Sequence, residues 1–275
     1  VAIKEKLIVE IKNQTKKLAL ALKVKGFMNV QFAIKNDEIY VIEVNPRASR
    51  TVPFVSKAKG IPLAKIASRV MAGKKLSEFN LINQNKNMFA VKEAVFPFNK
   101  FPNVDVLLGP EMKSTGEVMG IDKDFGLAYA KSQIAAGNSL PTRGLAFISL
   151  KDKHKNEGIN LAKKLVELNF TLCGTEGTAN AITKNGIKCK KVNKVSGGSP
   201  HIVDILNAKK IALVINTGGG KRAYRVQDST SLRRATLINK VPYCTNMSTA
   251  YACLEGIKSL KSKKMNVKAI QNIFH

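Results

Sequence analysis

The sequence has little of what a metal centre or a disulfide framework needs. It contains no Trp, 3 His and 4 Cys among 275 residues. The cysteines form no C-x-x-C pair and the histidines lie far apart: Cys173, Cys189, Cys244, Cys253, His154, His201 and His275. Such spacing argues against a zinc site. A chain of this length does not need disulfides to stabilise its core, so we expect reduced thiols and a cytoplasmic location.

Long apolar runs are missing as well. None approaches the roughly 20 apolar residues of a membrane-spanning helix, so we expect no membrane contact. Residues 1–10 alternate charged and apolar side chains, unlike a signal or transit peptide. The chain starts without Met inside an amphipathic pattern, and we therefore expect a fragment of a longer protein. With 44% hydrophobic residues it should fold, and its length suggests about two domains.

Acidic residues are the other scarce class, with 19 Asp and Glu against 46 Lys and Arg and a net charge of +27. This balance is typical of nucleic-acid binders. However, the lysines are dispersed along the chain and aromatic residues make up only 6% of it. A binding footprint is clustered, so the dispersion favours lysines that solvate the surface and argues against nucleic acid as a partner. A basic nucleic-acid-binding α/β module remains the alternative function.

The first half of the chain predicts mixed helices and strands. We expect helices at 4–24, 63–71 and 124–133, and strands at 30–34, 39–44, 89–96 and 116–120. A segment with Gly, Asn, Ser and Pro follows, residues 135–141, and it reads as a linker. We therefore predict two domains, residues 1–137 and 138–275.

The second half predicts a regular alternation of strands and helices. The expected strands are 144–150, 170–173, 189–192, 211–216 and 242–245, with helices at 155–169, 178–184, 201–207, 229–239 and 249–260. Because this order is typical of parallel sheets with helices on both faces, the fold class is α/β.

The strand 39–44 ends in a group of polar residues. Glu43 and Asn45 are two apart, so they point to one face, and Pro46 ends the strand. Arg47 and Arg50 follow in the loop. Carboxylate and amide oxygens suit Mg²⁺, while guanidinium groups hold phosphate oxygens and stabilise transferring charge. This strand end therefore predicts a magnesium-nucleotide site.

The hairpin register decides whether Gln31 joins this site. A two-residue loop at 36–37 would place Gln31 opposite Ile42, and a three-residue loop at 36–38 would place it opposite Glu43. We predict the second register because it gathers the polar groups on one face. It also gathers an apolar set on the other face: Phe32, Ile34, Tyr40, Ile42 and Val44.

A second set of polar residues follows the ends of the predicted strands in the second half of the chain. These residues are Thr175–Thr178, Lys194, Ser196–Ser199 and Asn216–Arg222. Glycine lets the backbone approach a phosphate closely, and the hydroxyls and cations add donors and charge. The spacing is not that of a Walker A loop. Since open α/β sheets bind ligands at their carboxyl edge, the pattern predicts a small phosphorylated ligand.

Several segments of the sequence resemble those of a known protein family. Residues 28–33 and 42–57 resemble the metal-binding half of an ATP-grasp domain, and more narrowly the second such domain of carbamoyl-phosphate synthase large subunits. Segments 92–93, 97–102 and 108–120 resemble that subunit too. The resemblance implies a partial ATP-grasp domain (α+β, with an antiparallel hairpin sheet) followed by a parallel-sheet methylglyoxal-synthase-like domain.

The same resemblance implies roles and partners for the first half. Gln31, Glu43 and Asn45 would hold Mg²⁺ or Mn²⁺ with ATP, and Arg50, with Arg47, would serve the carbamate-phosphorylating site. The reaction would make carbamoyl phosphate from ATP, bicarbonate and glutamine-derived ammonia, for pyrimidine and arginine biosynthesis. A glutaminase small subunit would be a partner through an absent upstream part, and this chain alone would be inactive.

The later half resembles the regulatory domain of that subunit. On matching positions the implied nucleotide-effector contacts are Lys155, Thr175, Thr178, Lys194, Asn216 and Thr217. The effectors would be UMP and IMP in bacterial members, and N-acetylglutamate is left open because mitochondrial relatives use it. Ornithine would contact Glu93, Tyr243 and Thr245. The sequence departs from the usual pattern at Gly218–Gly219 and at Cys244, where an acid is common.

Methylglyoxal synthase activity itself is not expected. That enzyme needs an aspartate base in the glycine loop, and here Ser199, Pro200 and His201 follow Gly198. Fold alone does not supply chemistry. We expect His201 to begin a helix.

Overall fold

The computed structural model describes residues 3–81, 87–96, 114, 116–217 and 223–273, without the side chains of 223–227. Two compact units are present, Val1–Lys86 with Lys268–His275, and Asn87–Val267. The division into domains at 137/138 stays a prediction. No helix in the described ranges is long and apolar enough to cross a membrane.

The described residues of the first unit form three α-helices and a β-hairpin. These are α1 (Glu5–Ala21), β1 (Asn29–Lys35), β2 (Glu38–Asn45), α2 (Thr51–Lys59) and α3 (Leu63–Met71), with short 3₁₀ turns at Leu76–Glu78 and Ile270–Ile273. The predictions did not include α2. Pro53 lies in its first turn, where a backbone N–H has no partner within the helix, so the proline does not interrupt it.

The hairpin confirms the predicted pairing of Gln31 with Glu43, but its loop length differs from the prediction. Gln31 lies opposite Glu43, yet the loop has two residues, Asn36 and Asp37, both with positive φ (52° and 64°). Both residue types tolerate that backbone conformation, which two-residue hairpin loops require. The predicted three-residue loop is therefore wrong. A shift between Gln31 and Phe32 leaves Ile42 as the extra residue of a β-bulge and restores the register.

The same bulge corrects the predicted apolar face. Tyr40 pairs with Ala33, and Ile42 is 63% exposed, so neither shares a face with Phe32 and Ile34. The positions opposite those two residues belong to Val41 and Ile39. The hairpin thus has a polar face, which includes Gln31 and Glu43, and a corrected apolar face.

The second unit begins with an antiparallel pair and a buried helix. Strand β3 (Phe89–Val95) pairs with β4 (Gly116–Asp122), and α4 (Phe125–Ala135) follows. Asp124 caps α4, because its carboxylate accepts a hydrogen bond from the Leu127 N–H at 2.9 Å. The predicted linker is irregular, but its Leu140 is buried in the same core cluster as Tyr129 of α4.

The rest of the second unit is the predicted parallel sheet. Its strands are β5 (Gly144–Ser149), β6 (Phe170–Gly174), β7 (Cys189–Lys191), β8 (Ile211–Asn216) and β9 (Tyr243–Cys244), in the order β7-β6-β5-β8-β9. Its helices are α5 (Lys155–Glu167), α6 (Glu176–Lys184), α7 (Ile202–Asn207), α8 (Ala223–Ile238) and α9 (Met247–Ser262). Every neighbouring pair is parallel, which confirms the α/β class.

The parallel sheet is covered on both faces, as its apolar strands require. Alternate residues of β5 enter different cores: Ala146 and Ile148 join the cluster that includes α4, α5, α6 and α9, whereas Phe147 joins the one that includes α7 and α8. The polar ends of the strands are therefore what remains open to a ligand.

Candidate functional site

The hairpin end brings three predicted ligands together. Gln31 lies opposite Glu43, and the Asn45 amide donates a hydrogen bond to the Glu43 carboxylate. Gln31 and Glu43 are exposed and Asn45 is half-buried. One carboxylate and two carboxamides thus share one face and stay open to solvent.

The two arginines follow directly. The Arg47 backbone N–H donates to the Asn45 carbonyl at 2.8 Å, which turns the chain at the end of β2, and its guanidinium Nη1 donates to the Ala48 carbonyl at 3.2 Å. Arg50 is the exposed residue that precedes α2. Within the described ranges neither guanidinium pairs with a carboxylate, so both are open to an anion.

The donor set fits half of a magnesium site. The oxygens of Gln31, Glu43 and Asn45 are hard ligands of the type that Mg²⁺ and Mn²⁺ prefer. In the part of the chain that the structure describes, no group of three or more His, Cys, Asp or Glu could hold a metal. A complete site therefore needs further oxygens, from nucleotide phosphates or from another segment.

A second site lies at the carboxyl edge of the parallel sheet. A cavity of about 740 Å³ opens there, beside the ends of β5, β6, β7 and β8. Five of the six predicted effector residues line it: Lys155, Thr175, Thr178, Lys194 and Asn216. Residues scattered over more than sixty positions of sequence therefore meet in one cavity, as the strand-end argument predicts.

The hydroxyl groups of Ser149, Thr175 and Thr178 line this cavity. The Thr175 hydroxyl lies 3.3 Å from the Thr178 hydroxyl and 3.3 Å from that of Ser149. The Thr178 oxygen accepts the Leu150 N–H at 3.0 Å, and both threonines are buried. Thr175 also precedes α6, whose first N–H groups have no partner within the helix. This arrangement suits an anion.

The sixth predicted residue, Thr217, is buried beside the cavity and does not line it. Its hydroxyl accepts the Lys151 N–H at 3.2 Å, and its own N–H donates to the Ser149 carbonyl at 3.0 Å. Asn216 lines the cavity and donates to the Tyr243 hydroxyl at 3.0 Å. The predicted Gly218–Arg222 part of the loop lies outside the described residues.

Charges of both signs surround the cavity. Lys155 pairs with Asp152 at 2.6 Å, and the Asp228 carboxylate accepts hydrogen bonds from the Ser196 N–H at 3.1 Å and hydroxyl at 2.9 Å. Sequence reasoning missed Asp228. Ser149 was also missed, although its position at the end of an apolar strand was a usable signal.

The predicted ornithine residues belong to two parts of the chain: Glu93 lies on β3, Tyr243 lies on β9, and Thr245 directly follows β9. The Glu93 carboxylate accepts a hydrogen bond from Gln133 at 2.8 Å, and burial raises its pKa while that hydrogen bond opposes the rise. The pKa of the Cys244 thiol is raised by its hydrogen bond with Cys253, by burial and by the charge of Glu93. Cys244 stands between Tyr243 and Thr245 in the sequence, but Cys244 belongs to the core cluster that includes Tyr129, whereas Tyr243 packs against the cluster that includes Phe147.

His201 has the predicted role at a helix start. Its Nδ1 accepts the Asp204 N–H at 3.3 Å, and the Asp204 carboxylate accepts the His201 N–H at 2.8 Å. This reciprocal pair caps α7.

Comparison with known proteins agrees with this organisation. The family model "Carbamoyl-phosphate synthase L chain, ATP binding domain" matches residues 1–79, and the model "MGS-like domain" matches residues 157–245. The first match contains the hairpin cluster and the second contains most of the cavity.

Curated relatives cover nearly all of the chain. It is 47% identical, over its full length, to the carbamoyl phosphate synthase large chain, C-terminal section, of Aquifex aeolicus, of which it covers 55%. It is 49% identical over 99% of its length to the carbamoyl phosphate synthase large chain of Mesorhizobium japonicum and 50% identical over 98% to that of Archaeoglobus fulgidus. It spans only 24% and 25% of those two proteins. The chain belongs to the carbamoyl phosphate synthase large chain family and corresponds to a part of that subunit.

Proposed function

We propose that this chain is the part of a glutamine-hydrolysing carbamoyl-phosphate synthase that carries the metal-binding half of the carbamate-phosphorylating site and an effector-binding domain. The observation that carries the effector role is the cavity at the carboxyl edge of the parallel sheet, with its buried threonine hydroxyls. The whole enzyme would make carbamoyl phosphate from ATP, bicarbonate and glutamine-derived ammonia in the cytoplasm. Residues 138–275 would form the effector domain.

In the first half, the polar face of the hairpin would bind the metal ion and the phosphates of the nucleotide. Mg²⁺ or Mn²⁺, when bound, neutralises charge that develops on phosphate oxygens. Glu43 supplies an anionic oxygen, and Gln31 and Asn45 supply neutral ones from both strands. Arg47 and Arg50 would hold phosphate oxygens at the strand end. The chain supplies one wall of such a site, so we propose that it does not turn over alone, and that the glutaminase subunit contacts another part of the enzyme.

The metal proposal predicts selective effects of Mn²⁺. Added to the chain with ATP, Mn²⁺ should broaden the NMR signals of Gln31, Glu43 and Asn45, because a paramagnetic ion affects nuclei close to it. Glu43→Ala should abolish the broadening by removing the only carboxylate of the set.

The matched control for the metal experiment is Glu38→Ala. Glu38 lies on the polar face of the same strand, at its other end. This variant should keep the broadening. Equal broadening in the wild type and in Glu43→Ala would contradict the assignment of the metal face.

In the second half, the cavity would bind a nucleoside monophosphate. Thr175, Thr178 and the N-terminus of α6 would receive the phosphate, and Lys194 would add charge from the neighbouring loop. Among the described residues, three lysines and three carboxylates line the cavity: Lys151, Lys155, Lys194, Asp152, Glu176 and Asp228. This described part of the lining suits a ligand with a single phosphate.

Replacing Lys194 by alanine should weaken UMP or IMP binding at least about tenfold, because a charge-assisted hydrogen bond is lost. Isothermal titration calorimetry on the folded chain measures this loss. Lys163→Ala, on the exposed face of α5 and outside the cavity, is the control and should bind as the wild type does. Absence of heat with both nucleotides would contradict the proposed effectors.

We also propose that Glu93, Tyr243 and Thr245 hold ornithine. A carboxylate of this kind suits a cationic amine, and the tyrosine and threonine hydroxyls can serve the ligand's polar groups. Tyr243 also receives the hydrogen bond from Asn216 of the effector cavity. Tyr243 would therefore link the two proposed ligand sites.

A further inference from the structure

Glu93 is a half-buried carboxylate in a strongly basic chain, and yet no cation among the described residues pairs with it. Its one hydrogen-bond donor in those ranges is the neutral amide of Gln133, at 2.8 Å. Removing a carboxylate from water without pairing it with a cation costs free energy. Such a group therefore tends to be protonated or to bind a cationic ligand.

The lysines on the neighbouring elements are already engaged. Lys92, the next residue of β3, pairs with Glu117 of β4 at 3.8 Å, and Lys131 of α4 pairs with Asp122 at 2.7 Å. The other titratable groups that interact electrostatically with Glu93, Tyr129 and Cys244, are neutral at physiological pH. Burial and hydrogen bonding or neighbouring charge raise the pKa of Tyr129 and Cys244 further.

Gln133 is buried beside this carboxylate. It is 8% exposed and lies on α4, most of whose residues are buried. The backbone of α4 packs directly against Gly120 of β4 on one side and against α9 at Gly126 on the other. A side chain on so constrained a helix offers its amide in one place, which pre-orders the acceptor before any ligand arrives.

We propose that Gln133 is a positioning residue that keeps Glu93 ionised and oriented to receive the ammonium group of a small amino-acid ligand. This inference rests on the proposed ornithine site and adds to it the group that maintains its charge. Glu93 contacts the ligand, and Gln133 acts through Glu93.

The proposal has a definite pH dependence. A donated hydrogen bond stabilises the carboxylate form, so it lowers the pKa that burial has raised. Without the donor, the pKa of Glu93 rises further, and the carboxylate is lost at a higher pH. Amine binding needs the ionised form, so its acid-side midpoint should move upward. The amine stays protonated throughout this range and contributes no shift.

The test replaces Gln133 by methionine, which has similar volume and no N–H. The Glu93 side-chain carboxyl ¹³C signal is followed from pH 3 to pH 8 in the full chain. We expect its midpoint in Gln133→Met to lie at least about one pH unit above the wild-type value. Calorimetry with L-ornithine should show the same upward movement of the binding midpoint.

Ser132→Ala is the matched control. Ser132 is the preceding residue of α4, fully buried, and its hydroxyl donates to the Tyr129 carbonyl at 2.7 Å. It should lower stability without moving the Glu93 midpoint, which separates a role in positioning from a role in folding. Equal midpoints in the wild type and in Gln133→Met would overturn the proposal.

A measurement on the wild type decides the matter if the methionine variant does not fold. The side-chain amide protons of Gln133 should titrate with the midpoint of Glu93, because they donate to it. An amide signal that stays constant across that midpoint would overturn the inference. Absence of ornithine binding to the wild type would instead contradict the proposed amine site, whereas the two titrations report on Gln133 alone.

Discussion

Replacing Gly120 by alanine is expected to destabilise the chain by about 3 kcal/mol. The added Cβ would lie 1.9 Å from the Ala128 carbonyl oxygen and 2.5 Å from the Ser132 nitrogen. Both are backbone atoms of α4, so no side chain can rotate away, and the helix must move from the strand. Urea unfolding followed by circular dichroism measures the loss.

Gly116→Ala is the control on the same strand. An alanine Cβ there meets nothing within 4 Å among the described residues, and the φ of Gly116 is not in the positive range. Alanine should be neutral at this position or slightly stabilising, because it restricts the unfolded chain. Similar losses in both variants would show that β4 does not pack on α4 as described.

Replacing Asp124 by alanine is expected to cost about 2 kcal/mol at neutral pH and much less in acid. The carboxylate of Asp124 caps α4 and is paired with the Lys263 ammonium of the segment after α9. Its pKa is lowered to about 2 by the hydrogen bonds from Lys263 and Ser259, with the cap and the Lys263 charge contributing. The side chain is 27% exposed, so solvent screens only part of this interaction.

The sign of the pH effect follows from the depressed pKa of Asp124. The stabilisation is complete above the unfolded value of 3.8 and is lost as the pH falls towards 2. The wild type should therefore lose stability over this range relative to Asp124→Ala. Asp124→Asn should retain part of the cap and lose the ion pair. A destabilisation by Asp124→Ala that is equal at pH 7 and pH 2.5 would contradict the role of the charge.

An exposed ion pair provides the comparison for Asp124. Asp37 lies in the hairpin turn and pairs with Lys4 at 2.7 Å and with Lys6 at 3.1 Å, all three largely in solvent. Asp37→Asn should change stability little, because exposed pairs are screened and asparagine also tolerates the positive φ of that position.

The sequence was informative where local chemistry decides the structure. The alternation of apolar strands and amphipathic helices predicted the parallel sheet, and the polar residues after each strand predicted where a ligand could bind. Thr175 and Asn216 could be placed at one edge without coordinates, since parallel strands all end on the same side.

The sequence was less informative where contacts between distant residues determine the local structure. The turn at Asn36 and Asp37 prefers two residues, and only the bulge at Ile42 reconciles it with the pairing of Gln31 and Glu43. The position of a β-bulge depends on the contacts that the two faces of the hairpin make with the rest of the protein. Local sequence patterns do not show these contacts. Val52, Pro53 and Phe54 gave little indication of a helix, and α2 was missed.

Long-range partners escaped prediction for the same reason. The hydrogen bond between Gln133 and Glu93 joins residues 40 positions apart, and that between Ser196 and Asp228 joins residues 32 apart. Polar residues of these types occur throughout the chain. Only packing of α4 on the strands, and of α8 beside the cavity, selects the pairs that meet.

The most direct test of the proposed effector site is the crystal structure of this chain with UMP or IMP at saturating concentration. Ligand density is expected in the cavity at the carboxyl edge of the parallel sheet, with the phosphate at Thr175 and Thr178 and the remainder beside Asn216. Density elsewhere on the molecule, or an empty cavity under these conditions, would contradict it.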